Sequence, residues 1–355
     1  MTILSRRQFL GASALAASSI REARADEAKR DFAFFLVGDT HYLADKESPD
    51  KMDSLSAGTN ARLIDVLNRL PGTAIPEAAG GGTVETPRGL IHAGDLIDSG
   101  DKNGGAYPKM HQTEWAAFNT DYGHTGKDGR LKFPVYEVHG NHDSPPGDGL
   151  IVQKITERNK TRPGVTNVSK NGLHYSWDWD GVHFVNLGIV VGAVKAVTRK
   201  RRYNPLESLD FLAADLADKV GTSGRPVVIT HHVDMVRYST PPNPDVPMTN
   251  PEWDPADVRG YFDALTAYNV VAILYGHTHA RNVYQWDGSP KKGDKGFPVF
   301  NVDNSAHYGM KQQALFYFHL RGDDMTVREL ATPDRWETAA WTPQTWTRKI
   351  AAKKA

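Results

Sequence analysis

The sequence predicts a layered α/β domain, on three observations. Five short apolar runs each close in a polar cluster, helical apolar periods lie between several of them, and two hairpin signatures interrupt the alternation. The runs "DFAFFLVGDTH" (31–41), "RGLIHAGDLID" (88–98) and "FPVYEVHGNHD" (133–143) turn polar at Gly38, Gly94 and Gly140. "RPVVITHH" (225–232) does so at Thr230 and "NVVAILYGHTH" (269–279) at Gly276. Uninterrupted apolar strands of this kind belong to sheets covered on both faces.

Helices are expected where Leu63, Ile64, Val66, Leu67 and Leu70 recur, and where Leu209, Phe211, Leu212 and Leu216 follow Pro205. A third has Val258, Phe262 and Leu265 after "DPAD", with Asp254 as the cap and Pro255 in the first turn. "HYSWDWDGVHFVNL" carries Asp180-Gly181 between alternating runs and "ALFYFHLRGDDMTVREL" turns at "RGDD", so part of the sheet system is antiparallel. Residues 72–87 and 99–130 read as long loops, the second with a short helix near Trp115. No stretch has the composition of a linker, so residues 26–331 are expected to form one domain, followed by an extension over 332–355 that contains Trp and Lys.

The first 25 residues read as a signal peptide rather than as structure. "SRRQFLG" (5–11) pairs two arginines before Phe-Leu, a modestly apolar run follows, and "ARA" (23–25) is a small-x-small cleavage site. The paired arginines point to the twin-arginine export machinery and hence to a periplasmic or secreted protein cleaved after Ala25. That route carries folded cargo.

The 355 residues balance 42 Lys and Arg against 42 Asp and Glu, and the chain without its first 25 residues has 38 against 41. A dedicated nucleic-acid binder would show a basic surplus, so no nucleic-acid partner is expected. There are no cysteines, which excludes disulfides, thiolate metal sites and thiol catalysis. Any metal must be held by nitrogen and oxygen, and 14 histidines are available.

The five strand ends carry Asp39 and His41, Asp95, Gly140 to Asp143, His231 and His232, and His277 and His279. Taken singly, each cluster is ordinary turn chemistry. Together they would converge, because ligands of an open α/β sheet collect beyond the carboxyl ends of its strands. Asp, Asn and His are ligands that Mn, Fe, Co, Ni or Zn accept, and a pair of such ions can clamp both oxygens of a phosphoryl transfer.

Asp-x-His, Gly-Asp-x-x-Asp, Gly-Asn-His-Asp, a histidine pair and Gly-His-x-His, in that order, resemble the calcineurin-like metallophosphoesterase superfamily over residues 31–304. The resemblance implies a four-layer α/β/β/α sandwich of two mixed sheets flanked by helices, with two transition-metal ions (Mn, Fe, Zn or Co) at the strand ends. It implies that Asp39, His41 and His279 hold one ion, Asn141, His231 and His277 the other, and Asp95 both. It implies further that a hydroxide held between the ions attacks phosphorus, with His142 as general acid. It also implies that Asp143 orients His142, that Asp98 fixes the loop after Asp95, and that His232 lines the substrate side or supports a ligand. Asp98 stands where purple acid phosphatases carry tyrosine, and Ser99 and Asp143 stand where protein Ser/Thr phosphatases carry Arg and Glu. The set looks closer to the branch that cleaves cyclic nucleotides and glycerophosphodiesters, so a small-molecule phosphodiester is the expected substrate. A phosphomonoesterase, a phospholipase-type enzyme and a catalytically silent scaffold of the same fold are the alternatives.

Further substrate-side candidates are Arg237 and Tyr238, in a Pro-rich loop over 233–253, and His307, which with Asn304 follows a late strand. Trp336, Trp341 and Trp346 precede a basic end. Packing onto the domain is favoured for them over contact with a membrane surface.

Overall fold

Alternation along β1 (Asp31–Val37) shows how the layers are built. Phe32, Phe34 and Leu36 point into a core with Trp177, Phe184, Phe300 and Phe318, while Ala33, Phe35 and Val37 join Leu63, Ile64, Leu67 and Phe118 on the opposite side. A strand with apolar partners on both faces is a central strand of a covered sheet. The computed structural model describes residues 30–193, 201–236 and 252–352.

In the first sheet, β1 runs parallel to β2 (Pro87–His92), which runs parallel to β3 (Val135–Glu137). On its other side β1 pairs antiparallel with β11 (Gln313–Arg321), followed by β12 (Asp324–Thr332) and β13 (Ala340–Lys349). The second sheet contains β4 (Val165–Val168), β5 (Tyr175–Trp179), β6 (Val182–Asn186), β7 (Pro226–Thr230), β8 (Asn269–Tyr275), β9 (Asn282–Trp286) and β10 (Phe297–Asn301). Its order is β4-β5-β6-β7-β8-β10-β9, with β6, β7, β8 and β10 mutually parallel. An aromatic core lies between the sheets, where the Trp177 ring stacks on Tyr136 and Phe184 at 4.3 and 5.1 Å between centroids.

Helices close both outer faces. α1 (Ser54–Arg69), α2 (Tyr107–Tyr122) and α3 (Leu150–Asn159) cover the first sheet. α4 (Ser208–Asp215) and α5 (Pro255–Leu265) cover the second. The result is the α/β/β/α sandwich of two mixed sheets. Asp254 caps α5 by accepting the Ala256 N–H, and Pro255 opens its first turn. The β5–β6 hairpin turns through Asp180 and Gly181, both at positive φ.

Two elements differ from the sequence expectation. The loop assigned to 99–130 contains α2, a full 16-residue helix rather than a short one. Its buried face carries Met110, Trp115, Phe118 and Tyr122 but also Glu114 and Asp121, and these carboxylates interrupt the apolar period. Glu114 is held there by the N–H groups of Ala44 and Ser99. α3 was not anticipated; its apolar positions Ile151, Val152 and Ile155 span barely one turn. Beyond residue 332 the chain adds β13, with Trp336 buried, Trp346 edge-on to Phe316 and Trp341 edge-on to Tyr317. The segment assigned to the signal peptide lies outside the described residues.

Candidate metal centre

The loops that leave β1, β2, β3, β7 and β8 meet at one edge of the two sheets. Backbone bonds tie them together: Asp39 N–H donates to the Gly94 carbonyl at 2.9 Å, Tyr42 N–H to Leu96 at 3.0 Å and Gly276 N–H to His232 at 3.1 Å. Two glycines permit this proximity. A Cβ at Gly94, which sits at φ 99°, would lie 2.5 Å from His232 Nδ1, and one at Gly140 would strike the Asp95 carboxylate.

Five residues of these loops occupy the left-handed region: Asp39 (φ 54°), His41 (44°), Asp95 (53°), His277 (71°) and His279 (48°). Each such conformation costs about 1–3 kcal/mol in a residue with a Cβ, and it survives only where the surroundings over-determine it. Half of the ten non-Gly residues at positive φ among the described residues thus fall on the polar strand ends.

The side chains form two groups that share Asp95. In the first, His41 Nε2 stands 3.3 Å from His279 Nε2 and 3.6 Å from Asp95 Oδ2, and His279 Nε2 is 3.4 Å from Asp39 Oδ1. In the second, His232 Nε2 is 3.2 Å from Asp95 Oδ2 and 3.0 Å from Asn141 Oδ1, with His277 beside them. The candidate ligand atoms of Asp39, His41, Asp95 and His279 lie within 4.8 Å of one another, as do those of Asp95, His232 and His277.

This donor set fits cations. His41 Nδ1–H donates to Asp98 at 3.1 Å, and His232 Nδ1–H donates to the Ala93 carbonyl at 2.7 Å. Each bond fixes a tautomer whose Nε2 lone pair then faces other lone pairs, on Asp95 or Asn141. Such convergence is repulsive unless positive charge lies between. With protons as the only cations, burial opposes charge on His232, yet neighbouring Asp95 overrides it and lifts the imidazole to about 9. Burial likewise works against ionisation of Asp95 and Asp39, but His232 and His142 hold the first well below the carboxylate range, and His279 lowers the second.

His142 stands at the lip of the centre. Its backbone N–H donates to Asp95 Oδ1 at 2.8 Å and its Nδ1–H to the Asp98 carbonyl at 3.0 Å, with the Asp101 carboxylate at 3.9 Å. Burial lowers its affinity for a proton, but Asp95 and the Asp98 carbonyl outweigh this and raise it. His307 closes the opposite side, its ring 4.5 Å from that of His41 and 4.8 Å from that of His279.

Two sequence assignments are corrected. His231 is not in the cluster; His232 occupies the place given to it. His231 is fully buried between Trp253, Tyr261 and Tyr275, with neither ring nitrogen hydrogen-bonded. The two-residue period of β7 explains this, since Val227, Ile229 and His231 face α5 whereas Val228 and His232 face the other sheet. Because β7 is apolar on both faces, the sequence shows only that the two histidines face opposite ways, not which of them meets the other sheet. Asp143, in turn, does not orient His142. Its carboxylate accepts the N–H groups of Leu96, Ile97 and Gly140 and so clamps the β2 and β3 loops together.

Asp98 does more than fix its loop, for it holds His41 and pairs with Lys102 at 3.1 Å. Asn304 is buried, its amide donating to Asp303 and the Gln312 carbonyl. Arg237 and Tyr238 lie outside the described residues. Glu252 and Asp101 belong to no strand-end motif, and the Ala93 carbonyl acts through the backbone, which carries no residue-type signal.

A two-sheet sandwich with paired nitrogen and oxygen ligands at its strand ends is a frame for a two-ion centre. Residues 32–281 match the model of the calcineurin-like phosphoesterase family, and the chain belongs to that family. No curated protein sequence matches the chain. Among solved structures, a dimetal phosphatase from Danio rerio is 14% identical over 91% of this chain and 99% of its own, with a TM-score of 0.54, a likeness of fold. GAP50, the anchor in the inner membrane complex of Plasmodium, is 11% identical over 91% of this chain and 90% of its own (TM-score 0.48). The NAD nucleotidase of Haemophilus influenzae is 13% identical over 90% and 56% (TM-score 0.36).

Proposed function

We propose that the protein is an exported phosphodiesterase that works with two transition-metal ions. Asp39, His41 and His279 would hold one ion, Asn141, His232 and His277 the other, and Asp95 both; the sharing of Asp95 between the two groups is the observation that carries this reading. When bound, the ions supply Lewis acidity toward the phosphoryl oxygens and a water acidic enough to give hydroxide near neutral pH.

The chain's own part falls to His142. Because Nδ1–H is engaged by the Asp98 carbonyl, the proton that can be given away sits on Nε2, and Asp95 favours the protonated ring. His142 then protonates the departing alkoxide, a step that contributes about 10²–10⁴-fold.

The preference for diesters is supported by charge. Among the described residues, Lys102 and Arg202, whose partners Asp98 and Glu252 touch His41 and His277, are paired with those carboxylates at 3.1 and 3.0 Å. A dianionic monoester gains most from uncommitted cations; a singly charged diester needs them less. Export is supported by the twin-arginine and "ARA" motifs, and mass analysis of the periplasmic protein should find a chain that begins at Asp26.

The test is hydrolysis by residues 26–355 reconstituted with Mn, Zn, Fe or Co. The expected result is faster turnover of bis-(p-nitrophenyl) phosphate and glycerophosphodiesters than of p-nitrophenyl phosphate. No hydrolysis of any ester with any of these metals would sink the reading.

A further inference from the structure

Each half of the centre has a carboxylate behind one of its histidines. For the first half this is Asp98 behind His41. For the second it is Glu252, whose Oε2 lies 2.9 Å from His277 Nε2. Glu252 comes from the turn just before α5, far in sequence from any strand-end motif. Its side chain is 3% exposed, and its Oε1 accepts from Arg202 Nη1 at 3.0 Å and from the Tyr203 hydroxyl at 3.1 Å.

A salt bridge to Arg202 alone would not account for this burial. Removing a carboxylate from water costs several kcal/mol, whereas the Arg202 side chain is 42% exposed and keeps much of its hydration. The imidazole edge, with the Tyr203 hydroxyl, supplies the further donors that a buried carboxylate requires. His277 is also held from behind, since its backbone N–H donates to both Asp39 oxygens at 2.9 and 3.0 Å. Main chain and ring are thus both fixed before any ligand atom is presented.

We propose that Glu252 is a positioning residue for the second ion. It holds His277 as the Nε2–H tautomer, which leaves the Nδ1 lone pair for the group with Asp95 and His232. Arg202 and Tyr203 hold the carboxylate in turn. The proposal rests on the two-ion reading and adds a specific claim: the two ions have separate supports, so they can be weakened separately. An outer carboxylate on a ligand histidine raises its basicity, and its loss typically costs 10–100-fold in metal affinity.

The experiment is Mn(II) titration of metal-free protein, read by bound-metal analysis and by electron paramagnetic resonance. Wild type is expected to bind two ions and show the spectrum of a coupled pair. Glu252→Gln should weaken one ion about 10–100-fold and give a mononuclear spectrum at one equivalent. Adding His232→Ala to it should remove the weakened ion and leave the other in place, whereas adding His41→Ala should abolish tight binding. Tyr203→Phe, which leaves the centre untouched, should weaken the same ion by a smaller factor, so the claim stays testable if Glu252→Gln folds poorly. If wild type binds two ions and Glu252→Gln binds two equally tightly, the role of Glu252 is overturned alone. If wild type binds fewer than two, the two-ion reading is overturned and this inference with it.

Discussion

The carboxylate of Asp143 accepts the backbone N–H of Leu96 at 3.0 Å, joining the loop after β3 to the loop after β2. Ile97 and Gly140 donate to the same carboxylate at 3.0 and 2.7 Å. Asp95 and Asn141, one from each loop, owe their separation to this clamp. Asp143→Ala would strand three buried donors, each worth about 1–3 kcal/mol. Urea unfolding of the metal-free protein should show a loss of roughly 3 kcal/mol or more, and an unchanged midpoint would refute the clamp.

The histidine pair on β7 should separate cleanly. His231→Phe places an apolar ring among Trp253, Tyr261 and Tyr275 and removes two unpaired buried nitrogens. It should leave metal content unchanged and stability equal or up to about 1 kcal/mol higher. His232→Ala should lose about one ion per chain by bound-metal analysis. Loss of metal in the first variant would return His231 to the centre.

His142→Ala should keep its metals and lose about 10²–10⁴-fold in kcat on esters with poor leaving groups. Bis-(p-nitrophenyl) phosphate, whose leaving group needs little protonation, should suffer much less. Equal losses on both substrates would remove His142 as the acid.

Acid should destabilise the fold partly through Glu137. This carboxylate is fully buried, and burial alone would raise it, but Arg158 and Arg162 hold it at about 2 against an ordinary 4.5. A depressed carboxylate contributes stability that is complete above its unfolded value and is lost as pH falls toward the folded one. Glu137→Gln should therefore be less stable than wild type by about 3–5 kcal/mol at pH 7. The gap should narrow between about pH 4.5 and 2; a gap independent of pH over that window contradicts the pairing.

Truncation after residue 339 removes β13 and uncovers Phe316, Tyr317 and the edge of β12. It also deletes Ile350, which is buried in the core between the sheets. Thermal unfolding should show a lower midpoint, and vesicle co-sedimentation should not change. A truncated chain as stable as the whole would mean that these tryptophans serve something other than packing.

Much of this centre could be read from the sequence because its residues follow closely on short, largely apolar strands. Asp39, Asp95, Asn141, His277 and His279 each come within five residues of a run whose burial on both faces leaves an unbroken apolar signature. Choosing between His231 and His232 needed the knowledge of which face of β7 meets the other sheet. The role of Asp143 could not be read, because a carboxylate that accepts backbone N–H groups has no sequence pattern. Glu252 was hidden for a different reason: it reaches His277 across 25 residues of chain, by tertiary contact alone. The polar groups on the buried face of α2 concealed that helix in the same manner.

The five left-handed residues, Asp39, His41, Asp95, His277 and His279, have a consequence for how the centre acquires its ions. Their unfavourable backbone is imposed by the sheets and by loop-to-loop bonds when the chain folds, so the conformational entropy of the site is already spent. Loading is then ligand exchange into a rigid cradle rather than folding around a cation, unlike small metal-dependent domains that collapse without their ion. A chelator should strip this centre and leave the circular dichroism of the fold intact, and reloading should proceed on the time scale of metal desolvation, independent of the rate at which the chain refolds.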